Sequence, residues 1–222
     1  MKHTISLAFV TSLALAVGVL AQNPPAQQGQ QQQQGQQAQQ GQRGGGGGGG
    51  QRGGGRGGRA QVIALSTTAW ADGGVIPAKF SQAGAEVSPA LSWTSAPENV
   101  VSYALLVRDL DAVGSNGVDD FMHWLVWNIP GTATSLPEAV PHGPEHADGM
   151  RQISPSGPYY RGPAAPATGP AHHYAFELFA LDTRIDVVPV GASPADTRAA
   201  VFAAMAGHVR GKGVVTGLFK RN

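Results

Sequence analysis

Cysteine is absent from the chain. No disulfide can staple the fold, and no thiol is available to carry a lipid anchor, so any folded part needs an apolar core of its own. Charge is sparse, with 15 Lys and Arg against 14 Asp and Glu, a net +1. Heptads and internal repeats are missing, and so are the H-E-x-x-H and G-x-S-x-G patterns of zinc hydrolases and serine hydrolases. One long apolar run occurs, at the N-terminus. Lys2 precedes "ISLAFVTSLALAVGVLA", which ends in small residues. This reads as a secretory signal peptide over residues 1–21, cut after Ala21. A retained membrane anchor is the alternative, but the run is short for a stable span.

Residues 22–61 are low in complexity, Gln-rich first and then rich in Gly and Arg. From Gln27 to Arg59 there is neither an aromatic nor a β-branched residue. Such a stretch buries too little apolar surface to offset its ordering entropy and is expected to be a disordered linker. Arg43, Arg52, Arg56 and Arg59 make it basic. "RGG" repeats occur in RNA-binding tails, but no aromatics are interleaved to stack on bases, which argues against nucleic acid. Loose contact with an anionic envelope surface is the better functional expectation, and a plain solvated linker the simplest.

Residues 62–222 have the composition of one globular domain. Short apolar runs separated by Gly, Pro, Asn and Asp argue for a mainly β fold. Strands are expected at 100–111, 120–130 and 172–182. In the first, Val101, Tyr103, Leu105, Val107 and Asp109 share a face. In the second, Phe121, His123, Leu125, Trp127 and Ile129 share one face and Met122, Trp124 and Val126 the other. Both are apolar, so this strand should be covered on both sides. In the third, His172, Tyr174, Phe176 and Leu178 lie opposite His173, Ala175, Glu177 and Phe179. One helix is expected, with Ser193 as N-cap, Pro194 in the first turn, and Val201, Phe202, Met205 and Val209 at helical spacing. Gly211 or Gly213 would stop it, and 214–220 would form a short closing strand. The Pro/Gly-rich segment 136–171 reads as a long functional loop.

Polar groups on apolar faces cost free energy unless partnered. Asp109, His123, His172 and Tyr174 are such groups, and if the strands are neighbours they converge on one concavity. Imidazole N–H groups, a tyrosine hydroxyl and loop amides could then bind a small anion, with Phe121, Pro163 and Pro166 as an apolar rim. Asp109, His123 and His172 also make a two-histidine, one-carboxylate set, so a metal-dependent or acid–base hydrolase is the alternative. His142 and His146 in "PHGPEH" are weaker candidates for a surface metal site. No cofactor is expected.

Five stretches, "SPALSW" (88–93), "RDLDA" (108–112), "FMHWLVWNIPG" (121–131), "YRGPAAP" (160–166) and "HHYAFELFALD" (172–182), come in the order and spacing of the phosphatidylethanolamine-binding protein family. The resemblance is closest to its bacterial, Raf kinase inhibitor-like branch, and runs from about Pro77 to Arg221. It implies a β-sandwich-like fold of two antiparallel-rich sheets with a C-terminal helix, and a small pocket for phosphate or phosphorylated head groups. The family's D-P-D-A aspartates fall on Asp109 and Asp111, its pocket histidine on His123, its G-P loop on Gly162 and Pro163, and its H-R-Y motif on His172, His173 and Tyr174. The departures surround the pocket. Leu110 and Val113 stand at proline positions, Ala165-Pro166 replaces a proline pair, the loop from Gly162 to His172 is one residue longer, and His173 replaces arginine. The resemblance implies a protein that binds a small anion or phosphorylated head group, with regulation or inhibition of a partner enzyme as its extension; the leader at residues 1–21 makes it an exported one, to which the family's kinase role does not simply carry over.

Overall fold

The computed structural model describes residues 60–114, 117–189 and 193–222. The expected signal peptide and nearly all of the linker lie outside the described residues. In chain order the elements are β1 (Gln61–Val62), β2 (Ala64–Ser66), β3 (Gly74–Val75), β4 (Leu91–Thr94), β5 (Ser102–Val113), β6 (Asp120–Pro130), β7 (Ser135–Leu136), β8 (Arg151–Ile153), β9 (His172–Leu181), α1 (Pro194–Met205) and β10 (Val209–Phe219).

Seven strands form one sheet in the order β1-β10-β9-β5-β6-β8, with β3 also pairing β10. The long strands pair antiparallel, while β1 and β3 join β10 in parallel. A smaller sheet has the order β2-β4-β7. Between the two sheets lies one core, built from Leu65, Leu91 and Trp93 on the small sheet and Leu105, Val107, Trp124, Phe176 and Leu178 on the large one. A second core covers the other face of the large sheet, where Val201 and Met205 of α1 pack with Leu106, Leu125, Trp127 and Leu181. The fold is thus the expected mainly β sandwich with one helix, and β6 is covered on both sides.

Three local expectations are corrected. First, β6 does not alternate regularly. Trp124 pairs with Val107 and Met122 with Arg108, which leaves His123 as an inserted residue opposite none. This β-bulge re-aims the side chains beyond it. Trp124 and Val126 join the inter-sheet core, whereas Leu125 and Trp127 face α1 and so do not share a face with His123. A second insertion falls at Asn128, whose φ is +59°. Its side chain bonds both the N–H and the carbonyl of Ile185, which holds that left-handed conformation in place. Second, the helix ends at Met205, and Val209, Gly211 and Gly213 belong to β10. Gly207, with φ +83°, makes the turn instead. Gly211 and Gly213 are packing residues, since a Cβ on Gly213 would sit 2.6 Å from the Ile63 carbonyl oxygen. Third, segment 136–171 is not one loop, because it supplies β8, the outer neighbour of β6. The helix start is as expected, with the Ser193 hydroxyl accepting from the Asp196 N–H and Pro194 at the first turn.

Candidate functional site

Register brings the central polar groups together. β5 lies between β6 and β9, and Asp109 pairs with Phe121 on one side and Tyr174 on the other. Asp109 is only 3 % exposed. It accepts a hydrogen bond from His172 Nδ1 at 2.8 Å and from the Asp111 N–H at 3.0 Å. Tyr174 also bonds to it, and burial together with that bond pushes the phenol well above its usual range. The Tyr174 hydroxyl in turn accepts the N–H groups of Ala164 and Ala165, at 3.3 and 3.2 Å. The buried carboxylate therefore has the donors that burial demands, and the 164–165 loop is tied to β9 through it. His172 is the exposed member of the pair, with 20 % of its side chain accessible. With Nδ1–H held by Asp109, Nε2 is the nitrogen left for a ligand.

The β6 insertion turns His123 to this same side. Its ring stands edge-on to Tyr174 (5.2 Å between centroids) and to Phe121 (5.1 Å). His123 Nδ1 donates to the Arg161 carbonyl at 3.2 Å. Burial lowers its pKa to about 4, against the opposing pull of Asp109. The ring is thus neutral at pH 7, a polarisable wall rather than a charge.

Gly162 and Pro163 form the floor of the adjoining loop, and both are buried. A side chain at Gly162 would meet the Phe80 carbonyl at 2.5 Å, so the glycine permits close approach to the turn at 78–80. Gln82 binds both loop carbonyls, through its side chain to Gly162 and its N–H to Pro163. Asp111 is positioned differently from Asp109. Its exposed carboxylate accepts the His173 N–H at 2.6 Å and His173 Nδ1 at 2.8 Å, and those bonds lower its pKa. It braces the rim, and the adjacent histidines divide their work, His172 on Asp109 and His173 on Asp111. Pro166 is exposed.

Sequence reasoning overlooked Arg161. Its guanidinium lies 5.9 Å from the Phe121 ring centre and bonds to Ser156, so a cation stands at the rim. The residue lies inside the "YRGPAAP" stretch, but no spacing rule shows that it stacks on Phe121. The two candidate loop histidines have other partners. His142 stacks on Tyr159 at 4.5 Å, and His146 Nε2 meets the buried Gln152 amide at 2.9 Å. Among the described residues no group of three His, Cys, Asp or Glu is placed to hold a metal ion, and His123 Nδ1 is turned to the Arg161 carbonyl.

A two-layer β fold with a buried aspartate bonded to a half-buried histidine at one end of its central strands defines the class of molecule. Residues 66–220 match the family model described as phosphatidylethanolamine-binding protein, and the chain belongs to that family. It is 40 % identical over 159 residues to a UPF0098 protein of Methanothermobacter thermautotrophicus, spanning 71 % of this chain and 98 % of the relative. It is 34 % identical over 161 residues to LppC of Mycobacterium tuberculosis, a protein named as a lipoprotein, over 71 % of this chain and 74 % of that one. Among solved structures, a phosphatidylethanolamine-binding protein homologue from Chlamydia trachomatis superposes with a TM-score of 0.60 at 25 % identity, covering 73 % of this chain and 100 % of the other. Escherichia coli YbcL shares the fold, with a TM-score of 0.57 at 24 % identity over 72 % of this chain and 99 % of that one. No helix among the described residues is long and apolar enough to cross a membrane.

Proposed function

We propose that the chain is an exported protein that binds a small anion or a phosphorylated head group at the Asp109–His172 site. The observation that carries this reading is the 2.8 Å bond from His172 Nδ1 to a buried carboxylate, on a histidine whose other nitrogen remains for a ligand. His172 is aimed by its bond to Asp109, and Arg161 adds a positive charge at the rim. Phe121 and Pro163 supply apolar walls that weaken competition from water. Family membership, with a name that refers to a phosphorylated head group, supports the ligand class. Export is supported by the N-terminal leader pattern and by likeness to a lipoprotein.

Inorganic phosphate tests the reading. A ligand that binds only the folded state raises stability by RT ln(1 + [L]/Kd), or about 2.7 kcal/mol at a hundredfold excess over Kd. Phosphate is expected to raise the melting temperature of the full chain, and His172→Ala is expected to abolish the rise. His142→Ala, in the loop stacked on Tyr159, should leave it intact. An undiminished shift in His172→Ala would remove the assignment.

A further inference from the structure

The hydrogen-bond donors at the Asp109–His172 site are largely spent on the protein itself. Asp109 takes the Nδ1–H of His172, the main-chain N–H of Asp111 and the hydroxyl of Tyr174. Asp111 takes the main-chain N–H and the Nδ1–H of His173. The adjoining loop is committed as well. Gly162 donates its N–H to Glu86 Oε1 at 3.3 Å, Pro163 has no N–H, and Ala164 and Ala165 both donate to the Tyr174 oxygen. The tyrosine hydroxyl and the loop amides that the sequence offers to an anion thus have partners already. His123 gives its Nδ1–H to the Arg161 carbonyl. Arg161 brings charge to the rim, where it bonds Ser156 and lies over Phe121. What His172 has left for a ligand is Nε2. In the neutral ring, whose proton sits on Nδ1 against Asp109, that nitrogen is a lone pair.

We propose that the site selects an oxyanion that brings its own proton, hydrogen phosphate, whose hydroxyl donates to His172 Nε2. This rests on the anion reading above and narrows it. Sulfate has nearly the size, shape and charge of hydrogen phosphate, so Arg161 and the apolar walls treat the two ions alike. It has no hydroxyl, however, and its oxygens would face the Nε2 lone pair, acceptor against acceptor. A site built to pair with a ligand hydroxyl rejects an analogue that lacks it, because the site's own polar group is then left unpaired. The same rule disfavours a phosphodiester, the linkage of a membrane lipid, which has no hydroxyl on phosphorus.

Isothermal titration of the full chain at about pH 8, where an unperturbed imidazole is neutral and inorganic phosphate still carries a proton, tests this. The probes are inorganic phosphate, sulfate and dimethyl phosphate. Phosphate is expected to bind, and the other two at least about tenfold more weakly, the loss that follows when an acceptor is left unpaired. His172→Lys puts an ammonium donor where the lone pair was and should bring sulfate level with phosphate. Equal binding of phosphate and sulfate by the wild-type chain would mean that His172 itself donates; it would overturn this proposal and leave the anion site standing. Dimethyl phosphate bound as tightly as phosphate, or a preference for phosphate over sulfate that persists in His172→Lys, would overturn it too. Failure of every ion to bind the wild-type chain would overturn the anion site and this proposal together.

Discussion

His123 makes the fold sensitive to acid in a window that can be stated in advance. The unfolded ring titrates near 6.5, while in the folded protein burial holds it down to about 4. The folded state therefore refuses a proton that the unfolded state accepts. Stability is full above pH 6.5 and is lost as pH falls towards 4, the reverse of a histidine that gains a salt bridge on folding. One unit of difference is worth about 1.4 kcal/mol, so between pH 7 and pH 5 His123 alone removes about 2 kcal/mol. With a urea dependence of about 2 kcal/mol per molar for a domain of this size, the midpoint should drop by about 1 M. The control is His123→Gln, whose amide can donate to the Arg161 carbonyl but does not titrate. Its baseline stability can differ; what matters is its slope between pH 7 and 5, which should be flatter by that amount. Asp72, Asp111 and Asp182 have lowered pKa values, from hydrogen bonds to Thr216, His173 and His208 respectively, and they lose stability only below the ordinary carboxylate range. They do not contaminate this window. Identical slopes in the two proteins would refute the placement of His123 as a neutral buried ring.

Gly213→Ala drives a methyl group against the Ile63 carbonyl oxygen, a backbone atom that cannot move alone, and should cost about 1–3 kcal/mol in urea unfolding. A change within error would mean that the β1–β2 segment adjusts freely around β10. Ser193→Ala removes the N-cap acceptor for the Asp196 N–H and should cost about 1 kcal/mol, read from the same unfolding curves; a larger loss would mean that Ser193 does more than cap α1.

How much of this was visible in the sequence depends on residue-scale geometry. β5, β6 and β9 are long and richly apolar, and their positions follow from that pattern alone. Asp109 and Tyr174 follow as well, because both lie on stretches that alternate without interruption through Val107 and Phe176, and cross-strand register then makes them neighbours. β6 is different. Strict alternation puts His123 on the face of Leu125 and Trp127, which turns out to be the face packed under α1. In the folded chain His123 and Trp124 both face the inter-sheet side, which two consecutive strand residues can do only across an inserted residue. No hydrophobic pattern marks that insertion, since both faces of β6 are apolar. What selects the phase is tertiary: Trp124 Nε1 donates to the buried side-chain Oε1 of Gln152 at 2.9 Å, and His123 Nδ1 donates to the Arg161 main-chain carbonyl. Both partners come from segment 136–171, too distant in sequence for local rules to pair. The same logic covers the end of α1. A glycine after a periodic run reads as a stop, yet Gly211 and Gly213 serve the approach of the 61–65 segment to β10, where any side chain would meet Ile63 or Pro97. The candidate site was thus legible wherever its residues sit on regular strands, and hidden wherever a distant loop decides which way a side chain turns. Arg161 is the clearest instance, since its guanidinium reaches the rim from that loop and its carbonyl orients His123.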